Sequence, residues 1–486
     1  MALIEKNIEP SIALIKELSD LKECKVVGLS FLDELDVVVQ KHDKNFDLIF
    51  NTRDYQSVEE ARYKDLEDFQ LIENGKTYWV SGKKSRFARL KDYWDERGFE
   101  CTIRAEELYT QVIEPDASYY IRYMIPVEKR VYFTDFRGWG FKVGSTSFGG
   151  LMKINFSQGE VHFYTITVGE QSYLVVESVF LCSLLEIDKV AYSVLLAFGL
   201  ISGTVHLNEA YMIMATTDDF RDPIGVYYKS LRDSIRCQYT IFTTNVYSVL
   251  MPIAKRMGDS GVEKKMLEKI EKKWKCAIEE MSAEVFTTLV LNLYQNDAIA
   301  RATLLLLDSS TLTLELQPAA YCIAFETVCT ALSKIYDLKS PKMLGKDVWD
   351  NSGIKKELLK VIDKGLEDGV LDDLQGDFLK GKINNMNAPA NLDKLKLPFE
   401  RFGYPLSETD ITGIKNRNRF MHGILNTDNK EGETEADKLF FSSLLMHKLT
   451  CILILKHCGF NGYIIDNLVL HQKPNKKSRR SAFIKI

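Results

Sequence analysis

The hydrophobic period of this chain changes partway along, and that change limits the folds open to it. Up to about Leu231 the apolar residues fall in short runs rich in Val, Ile, Tyr and Phe. These runs are Val26–Leu32, Phe46–Asn51, Tyr119–Ile125, Arg130–Thr134, Glu160–Val168, Ser172–Ser178, Tyr211–Thr216 and Ile224–Lys229. Many alternate apolar with polar, and Gly, Asn, Asp and Ser punctuate them, as in half-buried antiparallel strands. Ala2–Asp20 reads as a capping helix or strand pair, Val58–Asp68 as a helix, and Lys189–Ser202 as a buried helix.

Beyond Leu231 the period becomes 3.6. In Gly261–Met281 the apolar residues Met266, Ile270, Trp274 and Ile278 stand four apart with charge between them. Helical patterning continues through Val285–Leu293, Ala298–Leu307, Leu312–Leu338, Ile354–Leu366, Asp372–Asn384, Glu408–His422 and Thr434–His457. Pro318 suits the first turn of its helix. The expected class is therefore α+β: a β-rich N-terminal part, then an all-α bundle. The expected divisions are 1–245, a helical connector 246–300, a bundle 301–470 and a basic tail 471–486.

Charge follows the same division. The 486 residues carry 63 Lys+Arg against 68 Asp+Glu, a net of −5. Residues 1–250 hold −9 of this and residues 251–486 hold +4, while the last sixteen residues carry six cations and no anion. With 45 % hydrophobic and 27 % charged residues, the chain is neither disordered nor a uniformly basic nucleic-acid binder. The nine cysteines form no C-x-x-C pair, which speaks against a zinc knuckle or a disulfide framework. No signal-peptide layout opens the sequence, and the longest apolar run, Val190–Val205, is short for a membrane span. A soluble cytoplasmic protein is expected.

Several familiar motifs fail. Asn74-Gly75-Lys76-Thr77 ends like a phosphate-binding loop, but Gln70 stands where the first glycine is needed. Gly138, Gly140 and Gly144 are not spaced as a dinucleotide-binding turn and read as a β-turn or bulge. Asp218, Asp219 and Asp222 form an acidic cluster that suits a metal ion or, as the stronger reading, a solvated loop before Pro223. Six histidines, His42, His162, His206, His447, His457 and His471, sit in ordinary settings.

His422 is different. It lies in Lys415-Asn416-Arg417-Asn418-Arg419-Phe420-Met421-His422-Gly423, near the expected end of a helix. Asn418 and His422 are four apart and share a helix face. Arg417 is five from His422, about 140° around the helix, so it folds toward the same pocket or serves a site shared with a second subunit. Gly423 suits a helix stop, and the negative end of the helix dipole favours protonated imidazole. Imidazole beside guanidinium suits a phosphodiester. The ribose 2′-OH is an internal nucleophile, imidazole supplies acid–base catalysis, and guanidinium neutralises the developing charge. The same residues also suit plain capping and pairing with nearby acids.

Arg417-Asn418-x-x-x-His422 resembles the R-N-x-x-x-H form of the HEPN superfamily signature, carried on a late helix of a bundle. Glu326, in Ala324-Phe325-Glu326-Thr327-Val328, is similar to the acidic position on an early bundle helix of that family. The resemblance covers roughly residues 300–470. It implies a metal-independent endoribonuclease with no cofactor, active as a homodimer whose two-fold seam joins Arg and His. Carried across, His422 performs acid–base catalysis, Arg417 holds the scissile phosphate, Asn418 orients the pair and Glu326 supports it. Arg419 and Lys415 flank them as substrate-binding residues. The layout of a β-rich half before such a bundle is similar to bacterial anti-phage abortive-infection proteins of the ApeA type. The implied partners are RNA, with tRNA as one candidate, and a phage-derived trigger or regulatory ligand at the N-terminal part. The alternative is a non-catalytic interaction protein in which Arg417 and His422 are structural. In the tail, Lys473, Lys476, Lys477, Arg479, Arg480 and Lys485 either grip RNA phosphates or form a solvated terminus.

Overall fold

The computed structural model describes residues 7–486 except 30–34, 64, 94–97, 111–116, 129–130, 138–140, 144–145, 251–260, 341, 343, 346, 352, 422–433 and 472–480. The chain divides into two compact units. The first comprises Met1–Gln295 with the returning segments Gly462–Ile465 and Pro474–Ile484; the second comprises Asn296–Asn461, Asp466–Lys473 and Lys485–Ile486. The main break thus follows Gln295, where the expected divisions stood at 245 and 300.

The first unit is built on one antiparallel sheet. Its strands are β1 (Glu23–Val27), β2 (Asp36–His42), β3 (Asn45–Thr52), β4 (Phe69–Glu73), β5 (Lys76–Val80), β6 (Ser85–Tyr93), β7 (Gly98–Ala105), β8 (Glu107–Tyr109) and β9 (Tyr120–Val127). They continue with β10 (Phe141–Val143), β11 (Thr146–Asn155), β12 (Glu160–Val168), β13 (Gln171–Ser178), a separate two-residue β14 (Thr204–Val205), β15 (Glu209–Ala215) and β16 (Pro223–Ser230). Fifteen of them form one sheet in the order β10-β11-β12-β13-β9-β15-β16-β8-β5-β4-β1-β2-β3-β7-β6. Two seven-stranded halves therefore meet at the three-residue β8, where Tyr109 sits opposite Tyr227 on one side and Trp79 on the other.

The sheet curls around helix α1 (Glu9–Ser19), whose Ile12, Ile15 and Leu18 are buried. Curling shows in bonds between strands far apart in the order. Tyr228 Oη of β16 donates to the carbonyl of Lys44 at 2.6 Å, and Lys41 Nζ of β2 lies 2.7 Å from Glu209 Oε2 of β15. Inside, Arg122 of β9 is completely buried. Its Nε donates to Glu177 Oε2 at 2.7 Å, and its Nη1 donates to Asn7 O and Ser11 Oγ of the α1 segment. Helices α2 (Tyr55–Arg62), α3 (Leu184–Ser202), α4 (Gly261–Ala277) and α5 (Ala283–Gln295) complete the unit. α3 is the apolar run noted in the sequence, buried as expected.

The second unit is helical: α6 (Asp297–Asp308), α7 (Gln317–Ile335), α8 (Ile354–Glu367), α9 (Asp373–Met386), α10 (Asn391–Arg401), α11 (Glu408–Met421) and α12 (Glu435–His457). α7 is central, packing on α6, α10, α11 and α12. α12 is long and apolar enough to cross a membrane, yet 78 % of its apolar window is buried within the protein, as in a core helix.

Most expected elements stand within a few residues of their places. Pro318 lies in the first turn of α7, and Thr434 and Asp372 cap α12 and α9 through their side chains. One expected strand is absent. Residues 131–134 form no strand, and Phe133 instead enters a ring cluster with Phe136, Phe163 and Phe198. Val58–Asp68 is helical only to Arg62. Asn74-Gly75 makes the tight β4–β5 turn, both residues having positive φ, which only a short side chain or none tolerates easily. Asp219 organises its loop by accepting from Thr217 and Arg221, as the solvated reading expected. Gly138, Gly140 and Gly144 lie outside the described residues.

Burial also marks His447 of α12. Desolvation pushes its imidazole down to about 4 from 6.5. Depression below the unfolded value means the unfolded chain takes up the proton first as pH falls. The stability held above pH ~6.5 is then lost progressively toward pH ~4, by up to about 3 kcal/mol. Melting temperature followed between pH 7 and pH 5 should fall for the wild type and fall less steeply for His447→Leu. Equal slopes would show that His447 carries none of the dependence.

Candidate functional site

The site is built on the inner face of α11. Asp410, Ile414 and Arg417 are all buried, spaced four and then three apart as a helix stripe requires. Reciprocal bonds start the helix: Asp410 N donates to Ser407 Oγ (3.2 Å), and Ser407 N donates to Asp410 Oδ2 (2.9 Å). Asp410 also accepts from Lys448 Nζ of α12 at 3.0 Å. At Gly413 the two helices approach so closely that a Cβ would come within 2.3 Å of Leu445 Cδ2. Rotation of α11 is therefore fixed, and with it the direction of Arg417.

Arg417 points into the bundle and is only 2 % exposed. Its Nε donates to Glu326 Oε1 of α7 at 2.5 Å, and its Nη1 donates to the carbonyl of Ile414 at 2.9 Å. Its Nη2 is buried with no acceptor among the described residues. A buried guanidinium N–H without a partner is costly, and a phosphate oxygen or a water would complete it.

Glu326 is the partly open member, its side chain 31 % exposed. It lines a hollow of about 550 Å³ between the start of α6 and the face of α7, together with Asn296, Ala298, Ile323, Thr327 and Lys334. Asn296 Oδ1 caps α6 by accepting from Ala298 N and Ile299 N. Two cysteines behind the pair, Cys322 and Cys329, are buried thiols; desolvation pushes Cys322 up to about 12, so neither is a nucleophile.

The other candidates lie on the outside of α11. Lys415, Asn418 and Arg419 are exposed; Lys415 and Arg419 lie far around the helix from the inner stripe, and Asn418 borders it on the solvent side. His422 and Gly423 lie outside the described residues. The structure thus joins Arg417 to Glu326 and separates both from Lys415, Asn418 and Arg419. Of the tail cations, only Lys485 is described; it ends a strand, Phe483–Lys485, in which Phe483 is buried. Lys473, Lys476, Lys477, Arg479 and Arg480 lie outside the described residues.

The sequence reading passed over Asp410 and the hollow-lining Asn296 and Lys334. Ser407-x-x-Asp410 was a usable signal, because that spacing is a helix-start pattern. A second hollow, of about 320 Å³, lies in the sheet unit and is lined by Glu107, Tyr109, Asp188, Tyr227 and Lys229. There Lys229 Nζ meets Asp188 Oδ2 at 2.8 Å, and Tyr123 Oη donates to Asp188 Oδ1.

Removing one partner of a buried ion pair strands the other. Glu326→Gln leaves the buried Arg417 guanidinium without its counter-charge and should lower unfolding free energy by about 3 kcal/mol, whereas the charge stranded by Arg417→Ala costs less because Glu326 is partly solvated. A double-mutant cycle read by urea denaturation should give a coupling of at least about 1 kcal/mol. Additive losses would show that the pair contributes nothing to holding α7 and α11 together. Compared with known proteins, the chain matches no family model, no curated protein and no solved structure.

Proposed function

We propose that this chain is a metal-independent endoribonuclease of the HEPN type, acting in the cytoplasm in anti-phage defence or as a toxin. The observation that carries the proposal is the sequence Arg417-Asn418-x-x-x-His422, whose Arg417 and Asn418 lie on the next-to-last long helix of a bundle, with Arg417 held by Glu326 and its Nη2 left without an acceptor among the described residues. In this reading the 2′-oxygen of the substrate attacks phosphorus and the bond to the 5′-oxygen breaks. His422 takes the 2′-OH proton or supplies a proton to the leaving 5′-oxygen, and a guanidinium offsets the charge that develops on the phosphorane. The products are a 2′,3′-cyclic phosphate and a 5′-OH. Glu326 orients Arg417 rather than touching substrate, and Asn418, Arg419 and Lys415 offer exposed polar contacts to RNA. The active form is a dimer that brings residues of two copies together. The hollow beside Lys229 and Asp188 suits the trigger or regulatory ligand.

A second reading has its own support. Arg417 is almost wholly buried and already ion-paired within its own bundle, as a purely structural arginine would be. The chain is then a binding or scaffold protein.

His422 separates the two, because substituting it leaves the Arg417–Glu326 pair intact. Wild-type and His422→Ala protein are incubated with total RNA under activating conditions and the new ends are sequenced. The ribonuclease reading expects cleavage that EDTA does not inhibit, cyclic-phosphate ends, and a loss of about 100-fold or more in His422→Ala at unchanged melting temperature. Cleavage of equal rate in both proteins, or none in either, sinks it in favour of the scaffold.

A further inference from the structure

Where the two halves of the large sheet meet, its outer face carries an aromatic row. Register sets Trp79 of β5 opposite Tyr109 of β8, Tyr109 opposite Tyr227 of β16, Tyr227 opposite Met212 of β15, and Met212 opposite Tyr123 of β9. Side chains at such opposed positions stand on one face of a sheet. A polar row runs beside it, with Lys229 of β16 opposite Glu107 of β8. The intervening residues Tyr78, Leu108, Tyr211 and Tyr228 belong to the other face, in the core with α1.

α3 covers only part of the outer face. It packs on β9 and β13. Its first turns are pinned at Asp188, which accepts from Tyr123 Oη at 3.2 Å and from Lys229 Nζ at 2.8 Å. Beyond Asp188 the cover ends, and the hollow of about 320 Å³ opens between the start of α3 and the two rows. Tyr109 and Tyr227 line it, stacked with ring centres 5.8 Å apart. Leu184 and Met212 give it an apolar wall, and Leu185, 82 % exposed, forms its lip. A concave apolar surface with a few converging polar groups is the usual form of a small-molecule site.

Charge decides what fits there. The hollow holds the carboxylates of Glu107 and Asp188 and one ammonium, Lys229, a formal net of −1. Lys229 is spent on Asp188. The Glu107 carboxylate is left with the Tyr227 hydroxyl and has no ion-pair partner among the described residues. Asp68 adds to the negative field at Tyr109. An entering phosphate or carboxylate meets Glu107 unneutralised, and Lys229 could serve it only by giving up Asp188. An entering cation meets a carboxylate beside aromatic rings, and both attract it.

We propose that this hollow binds a small organic cation, one ammonium or guanidinium group on an apolar body. The charged head sits at Glu107 beside the Tyr109 and Tyr227 rings, and the body lies against Leu184, Leu185 and Met212. The occupant touches both the seam at β8 and the start of α3. Its regulatory role rests on the reading of this hollow given above; its binding does not.

The test titrates the full-length protein at pH 7 with benzylammonium, benzyl alcohol and benzoate, followed by saturation-transfer NMR. Benzylammonium should bind with a Kd on the order of 1 mM, as suits so small a ligand, benzyl alcohol at least about tenfold more weakly, and benzoate not at all. Glu107→Gln should weaken benzylammonium about tenfold and leave benzyl alcohol unchanged. Leu185→Arg changes an exposed side chain, so the fold is not at stake, and the guanidinium it sets at the mouth should abolish benzylammonium binding. Nα-acetyl-lysine N-methylamide carries the same charge on a peptide and should bind more weakly than benzylammonium. Tighter binding would make a protein side chain the ligand and overturn the small-molecule assignment. No benzylammonium binding, an affinity equal to that of benzyl alcohol, or an affinity unchanged in either variant overturns the proposal. No RNA enters the experiment, so the ribonuclease reading and this one fail separately.

Discussion

Taking a guanidinium out of water governs how each compact unit is held. In the sheet unit Arg122 is wholly buried, and in the helical unit Arg417 is nearly so. Each spends its Nε on a carboxylate of a neighbouring element, at 2.7 Å on Glu177 and 2.5 Å on Glu326. In each, Nη2 has no acceptor among the described residues. Desolvating such a charge costs several kcal/mol, so the surrounding elements must hold the carboxylate in register or the core opens. For Arg122 this ties β9, β13 and the α1 segment together. For Arg417 it ties α11 to α7. The two environments differ in one respect that bears on function. Glu177 is sealed, whereas Glu326 borders a hollow that solvent and solutes can enter.

Much of this was legible in the sequence, and the rest was hidden for identifiable reasons. Strands with clean alternation, such as Glu160–Val168, and helices with a strong stripe declare themselves. β11 does not, because Gly149 and Gly150 interrupt it and a bulge shifts its register there. α10 does not declare itself either, because Pro398 lies inside it. Asn74-Gly75 fails as a phosphate loop, and the dipeptide is instead a strong hairpin signal. Arg130–Thr134 has strand composition, yet Phe133 packs among the rings of Phe136, Phe163 and Phe198, a tertiary contact that local composition does not show.

The candidate site shows a similar limit. Sequence marks Arg417, Asn418 and His422 as a group but does not say which way each faces. That direction comes from Asp410, Gly413 and Ile414, which turn α11 so that Arg417 enters the core while Asn418 stays outside. The identity of its partner is a tertiary fact, since Glu326 lies 91 residues earlier in the chain.

The first unit is not contiguous in sequence. Trp274 on α4 is buried against the rings of Tyr463 and Phe483, which are contributed by segments that return after the helical unit. Ile465 N likewise donates to the carbonyl of Ile241. During synthesis these contacts are missing until roughly two hundred further residues have been made, so the helical unit is free to form while the sheet unit still waits for its last pieces. The indole of Trp274 is thus a natural clock for the closing step of folding. A nascent or truncated chain lacking Phe483 leaves that ring wetter, where a late segment packs on a helix made some two hundred residues earlier.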